Sequence, residues 1–435
     1  MDNDYHHHSS TTTAANLAAS ASLIIARIFY GANWFNVAAI FPLIALEFGQ
    51  DVSLLGSISA AFLIGVGAFQ VPSGIFAARH SPRTSAIAGI AVSSAAALVS
   101  GLISEAPQLV WLRFIVGAGM AFFFSSGVVL IARYANRNSP GLSIGVMNAA
   151  HSVGGIIGIL GWIVIAVAIG WRQSLVLSGA IGLATALLLV LTIPKRETTK
   201  STDGSPPPSS SPSDRKPPLP PSPPLPLNGA AVLKILSNHS IVALGLVLTG
   251  IQAAWALTLT FIVVFLQELE ASLEIIGIIA SVALISAIIS APLIGRVYDR
   301  VIRDARKILL ICGAATSLAT AAVSTAILPV IVAAVIVIGF FAGGAFTVAY
   351  AKARRTPVRG LGLEPPDSGG DGSASSNYSA LNVAWVNGLS LLGVLWMPVA
   401  FSYAVQHAGG YPAAWMLAGV LTALFVTVPL LKVEK

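Results

Sequence analysis

Asn148, His151 and Gly155 recur at spacings of three and four, which places them on one face of a helix. Histidine changes charge between about pH 5 and 8, so this face could orient a ligand or take up a proton. Arg27 and Arg113 carry charge inside long apolar stretches. A guanidinium there faces a cavity, finds a partner, or extends its head toward water. Its planar donors match a carboxylate. Tyr30, Asn33, Trp34, Asn36, Gln252 and Trp255 add polar and aromatic groups, as do Asn382 and Trp385 with Asn387 nearby. Any one Asn or Gln also serves as glue between helices. Together they suggest a central site for an anionic or zwitterionic solute. Arg27 and Arg113 would attract charge, and Asn148, His151 and Asn382 would orient the ligand. Trp255 and Trp385 would wall the site, with Asn33, Trp34 and Gln252 contributing from the same depth.

Enzymatic chemistry is not expected. No glycine-rich nucleotide loop, metal-spaced His/Cys set or nucleophile motif occurs, so catalytic residues, metal and cofactor are all expected to be absent. His6, His7 and His8 read as a tag remnant or a polar tail before they read as a metal site. Cys312 is the only cysteine, which excludes a disulfide within the chain. None of the 17 acidic residues falls within the predicted membrane cores, Glu47 and Glu268 coming closest at the ends. Coupling through a buried carboxylate therefore lacks its usual carrier, although a proton remains the candidate coupling ion.

The elements that must hold these residues are long apolar helices. Apolar residues make up 55% and charged residues 9% of the chain, and mean hydropathy is +0.83. A soluble domain carries about 25% charge. Twelve stretches of about 20 or more residues are each long enough to cross about 30 Å of hydrocarbon. They are read at 18–46, 54–78, 84–103, 107–132, 142–168, 172–193, 239–266, 273–295, 308–328, 330–351, 379–404 and 411–431.

The net charge of +7 reflects topology rather than a nucleic-acid partner. Of 24 basic residues, 21 lie in the even-numbered gaps or at the carboxyl end. Acidic residues such as Glu105 and Glu270 mark the other side. Positive loops stay inside, so a multi-pass cell-membrane protein with both termini cytoplasmic is expected. Residues 1–17 hold no Lys or Arg and no signal-peptide pattern, and are expected to form a disordered cytoplasmic tail.

The chain also repeats. Trp34 and Trp255, Gly74 and Gly295, and Arg79 and Arg300 share an offset of 221 residues. A second register of 234 pairs Asn148 with Asn382 and His151 with Trp385. Six helices duplicated in the same orientation imply a parallel repeat about an axis normal to the membrane. The expected domains are an N-terminal bundle (18–193), a Pro/Ser-rich cytoplasmic linker (194–238) and a C-terminal bundle (239–432) with a disordered cytoplasmic loop (352–378).

The second helix ends in Gly74-Ile75-Phe76-Ala77-Ala78-Arg79-His80-Ser81-Pro82-Arg83, and its counterpart reads Gly295-Arg296-Val297-Tyr298-Asp299-Arg300-Val301-Ile302-Arg303. Glycine permits close helix approach, and an Asp can sit at the positive end of a neighbouring helix. Both stretches resemble the loop signature of the major facilitator superfamily, and Arg113-Phe114-Ile115-Val116-Gly117-Ala118-Gly119 resembles another element of that family. The resemblance implies an all-α membrane fold of two pseudo-symmetric six-helix bundles. It implies a cytoplasmic gate built from Gly74, Arg79, Arg83, Gly295, Asp299, Arg300 and Arg303. Ala78 replaces the Asp of the first copy, so an asymmetric gate dominated by the second half is expected. In the fifth helix, Ala150-His151 stands where drug–proton antiporters of the family carry Gly-Pro.

The function expected is secondary transport of a small anionic or zwitterionic metabolite, by two bundles rocking about a central site. Partners are the solute and the lipid bilayer, without nucleic acid, and the protein is expected to act as a monomer. Efflux of lipophilic drugs or lipids, lined by Phe122, Phe123 and Phe124, is the alternative. A non-transporting sensor or scaffold signalling through the Pro-rich linker is a remote third.

Overall fold

The structure, a computed structural model, describes residues 2–48, 52–135, 139–195, 229–357 and 372–431. Among them, twelve helices are long and apolar enough to cross a bilayer. They are α1 (Ala14–Phe48), α2 (Gly56–Arg79), α3 (Pro82–Ser100), α4 (Ala106–Tyr134), α5 (Pro140–Ile169) and α6 (Trp171–Thr192), then α7 (His239–Glu268), α8 (Ser281–Arg300), α9 (Ala305–Thr325), α10 (Leu328–Arg355), α11 (Tyr378–His407) and α12 (Gly410–Pro429). A helix satisfies its own backbone, so each can stand in hydrocarbon where no water is available. Apolar side chains such as Leu191, Leu318 and Val399 cover the outer surface.

The duplication is visible in the packing. In the first half α1 packs on α5 and α6, α2 on α4, and α3 on α4 and α6. In the second half α7 packs on α11 and α12, α8 on α10, and α9 on α10 and α12. The two halves meet through α5 against α8 and α2 against α11, a pair of contacts that exchange when the halves are swapped.

Several elements depart from the expected boundaries. The helix that includes α1 begins at Asp2 and runs for 47 residues, so the expected disordered tail is helical. No Gly or Pro precedes Gly31 to end it. The second loop is likewise shorter than 352–378. Helix α10 continues through Ala353-Arg354-Arg355, stopping just before Pro357, and the helix carrying α11 begins at Gly372. Helix α2 breaks between Ala68 and Gln70 at Phe69, and α5 contains a π turn at Ile157–Gly161. Gly170 alone links α5 to α6, at φ +87°, a conformation that favours glycine. Residues 196–228 of the linker, 358–371 of the second loop, and Lys432 and Lys435 lie outside the described residues.

Candidate functional site

A cavity of about 240 Å³ lies between the two halves, lined from α1, α2, α4, α5, α7, α8, α10 and α11. Helical spacing supplies its walls. Helix α1 presents Arg27, Tyr30 and Trp34; α5 presents Asn148 and His151; α7 presents Gln252 and Trp255. Glycine sets how close the first two helices come. A Cβ on Gly31 would meet the carbonyl oxygen of His151 at 2.2 Å, and one on Gly154 the carbonyl oxygen of Ile28 at 2.1 Å. This contact holds Arg27 and His151 in one chamber.

Arg27 is only 5% exposed. Its guanidinium carbon lies 4.3 Å from the Tyr30 ring centre and 4.8 Å from that of Phe124. The rings partly offset the cost of burying the charge, but Nε and Nη1 have no hydrogen-bond partner. Among the described residues, no Asp or Glu lines the cavity. His151 packs its ring edge-on to Tyr30 and Trp34, with centroids at 5.5 Å and 6.0 Å, and its Nδ1 is also unpartnered. The site thus offers positive and neutral donors without a built-in anion.

Asn148, Gln252, Tyr350 and Asn387 are tied into bonds. Asn148 donates from Nδ2 to Thr347 Oγ1 at 3.2 Å, joining the two halves. Ser390 donates to Gln252 Oε1 at 3.1 Å, and Tyr350 to Asn387 Oδ1 at 2.7 Å. Trp34 and Trp255, which share the 221-residue offset, stand in the same cavity. Tyr350 was missed in the sequence, although Gly343, Phe346 and Tyr350 have the spacing of one helical face.

Four expected ligands lie elsewhere. Arg113 is buried between helices, donating from Nη2 to the Asn33 carbonyl at 3.0 Å, with its guanidinium carbon 4.7 Å from the Phe62 ring centre. A charge at this depth takes the nearest helix carbonyl, and Arg113 reaches one before it reaches the cavity. Asn33 points toward α6 and accepts from Ser178 Oγ at 2.9 Å; it is interhelical glue. Asn382 donates to the carbonyls of Ala353 and Thr356, closing the end of α10. Trp385 donates from Nε1 to the Leu236 carbonyl. The cavity amide of α11 is Asn387, five residues beyond Asn382. Of the Phe122–Phe124 run, only Phe124 reaches the cavity.

The end of the molecule that carries the basic loops is closed. Asp299, at the end of α8, accepts from the backbone N–H groups of Gly141 at 3.1 Å and Leu142 at 2.8 Å. These are unsatisfied donors of the first turn of α5, where helix-end charge favours a carboxylate. Gly295 lies against Gly141, where a Cβ would meet the Gly141 oxygen at 2.3 Å, and Gly74 lies against Leu381. Arg83 stays within its own half, donating to the carbonyls of Ile193 and Val190 at the end of α6. It is a helix cap rather than a gate residue, because the last carbonyls of a helix attract a cation. Arg79, Arg300 and Arg303 are exposed at this end.

A model of the major facilitator superfamily matches residues 23–362. The chain belongs to that superfamily. It is 28% identical over 153 residues to a probable sulfoacetate transporter of Cupriavidus necator, covering 35% of this chain and 36% of the relative. It is 27% identical over 154 residues to a 4-hydroxybenzoate transporter of Pseudomonas putida, covering 35% and 34%. A chloramphenicol resistance protein of Streptomyces lividans is 27% identical over 188 residues, covering 42% and 47%. The chain thus spans between a third and a half of the length of these superfamily members. In structure it is similar to the Escherichia coli fucose:proton symporter, with TM-score 0.66, 16% identity, and coverage of 97% of this chain and 100% of that one. A proton:xylose symporter gives TM-score 0.67 at 13% identity, covering 95% of each chain. The protein accordingly has the superfamily's two-bundle fold, with twelve helices long and apolar enough to cross a membrane among the described residues.

Proposed function

We propose that the protein carries a small organic anion across the cell membrane by alternating access. The observation that carries this reading is Arg27: a buried guanidinium in a central cavity, with unpartnered Nε and Nη1 and no carboxylate in the lining. An anion supplies the missing acceptor, and the desolvated pair gains most from bidentate geometry. Relatives named for sulfoacetate and 4-hydroxybenzoate, both anions, support the same class. Positive-inside loops place the closed end, and with it both termini, on the cytoplasmic side. Breaking the Asp299–α5 contact would let the bundles rock to the inward-facing state. The carrier acts as a monomer in the bilayer.

Drug efflux is the second reading, favoured by the aromatic walls Trp34, Phe124 and Trp255 and by the likeness to the chloramphenicol resistance protein. Cavity size argues against it. About 240 Å³ falls below the roughly 300–1,000 Å³ of pockets for drug-sized ligands.

The test is counterflow in proteoliposomes with labelled benzoate, benzenesulfonate, an amino acid, a neutral sugar and ethidium. Exchange of the anions, lost in Arg27→Gln, is expected. Transport of ethidium or the sugar with no anion exchange would refute the proposal.

A further inference from the structure

The superfamily members with similar structures include proton symporters, yet the cavity here has no carboxylate to carry a proton. Among the described residues the acidic ones lie at or near helix ends: Asp2, Asp4, Glu47, Glu105, Glu268, Glu270, Glu274, Asp299 and Asp304. Among the groups lining the cavity, those that titrate are Arg27 and Tyr30 on α1, His151 on α5 and Tyr350 on α10. The linings from α2, α4, α7, α8 and α11 offer apolar, amide, indole or hydroxyl groups, such as Leu63, Phe124, Gln252, Trp255, Thr260 and Asn387. Arginine and tyrosine do not change charge near neutral pH. That leaves the imidazole of His151.

Its place beside Arg27 couples the two. Both side chains contact the Tyr30 ring from within one chamber: the Arg27 guanidinium carbon is 4.3 Å from the ring centre, and the His151 centroid 5.5 Å. In a dry cavity two neighbouring positive charges repel strongly. An anion seated on Arg27 cancels that repulsion and adds an attraction, so anion and proton each favour binding of the other. Such coupling is reciprocal by thermodynamic necessity. From this geometry we infer that His151 is the proton carrier of an anion–proton symport, loaded when an anion occupies the Arg27 site.

The inference rests on the anion reading above. In the cycle, the anion binds to Arg27 at the open end, and the free ring nitrogen of His151 then takes a proton from water, forming one N–H bond. The bundles close around both. At the other end the anion leaves, the Arg27 charge then expels the proton, and the imidazole returns neutral. One proton moves with each anion, so a monoanion crosses without net charge.

The experiment uses the full-length protein in proteoliposomes with labelled benzenesulfonate, which is permanently ionised and does not leak as a neutral acid, and with labelled benzoate corrected against protein-free vesicles. The wild type should concentrate the anion in the less acidic compartment, up to about tenfold per pH unit at one-to-one stoichiometry. Clamping the membrane potential should leave this unchanged. His151→Gln should lose the pH-driven concentration and bring the anion at most to equal concentrations on the two sides. If His151→Gln concentrates it as the wild type does, the inference fails and the anion reading stands. If His151→Gln does not exchange at all, the wild type decides the matter. Adding benzenesulfonate to detergent-solubilised protein in weak buffer should draw about one proton per bound anion, and no uptake overturns the inference. Should the wild type neither move nor bind either anion, the functional reading and the inference fall together.

Discussion

Arg27 and Arg113 are buried to a similar extent, and their surroundings separate them. Arg27 lines the cavity with Nε and Nη1 unpartnered, whereas Arg113 lies outside that lining, with Nε unpartnered and Nη2 spent on the Asn33 carbonyl. Losing a charged hydrogen-bond partner costs about 1.5–3 kcal/mol, roughly a ten- to 150-fold loss of affinity. Arg27→Gln should therefore raise KM for the transported anion by at least tenfold, and Arg27→Lys should recover part of it as a point charge without the fork. Arg113→Gln should leave KM within twofold but lower the melting temperature in detergent. Equal KM effects from the two variants would contradict this division of labour. From sequence both arginines look alike, since each interrupts an apolar helix. Which one finds a carbonyl depends on the facing helix, and a single chain carries no record of that.

Helix ends decide the gate. Asp299 satisfies two N–H groups of α5 at the basic-loop end, whereas Ala78 gives α2 no equivalent carboxylate. A charge at a helix terminus contributes about 0.3–1 kcal/mol, rising to about 2 when partly buried. Asp299→Asn should therefore shift the closed–open balance toward opening by about two- to thirtyfold. This would be read as faster modification of a cysteine placed at Leu142, and an unchanged rate would show that the Asp299 charge does not hold the gate. The asymmetry was legible in the sequence, because Asp299 and Ala78 occupy equivalent motif positions. The 221-residue register also placed Trp34 and Trp255 in one cavity. The 234-residue register did not transfer. It aligned Asn148 with Asn382, but the cavity amide is Asn387, about 7.5 Å further along α11 at 1.5 Å per residue. Amide identity alone cannot distinguish those two turns, because Asn382 is equally polar and is used to close α10. The Arg83 cap was hidden for a similar reason, since any basic loop residue suits both a gate and a helix end.

The whole molecule is two similar bundles that meet through α5–α8 and α2–α11. That plan was readable from twelve apolar stretches, alternating basic gaps and a repeated motif, because bilayer thickness and the positive-inside bias leave few alternatives. Cysteine placed at exposed His80 should react with an impermeant maleimide only from the cytoplasmic side; labelling from outside would invert the topology. The most direct test of a cavity exposed to one side at a time is pulsed electron spin resonance on the protein in liposomes, with buried Cys312 replaced by alanine. One label pair sits at His80 and Val301 on the basic-loop end, and another at Leu102 and Leu269 on the opposite end; these are exposed positions. Adding the transported anion at acidic pH should lengthen the first distance and shorten the second within the same population. Two distances that stay fixed, or that lengthen together, would contradict the account.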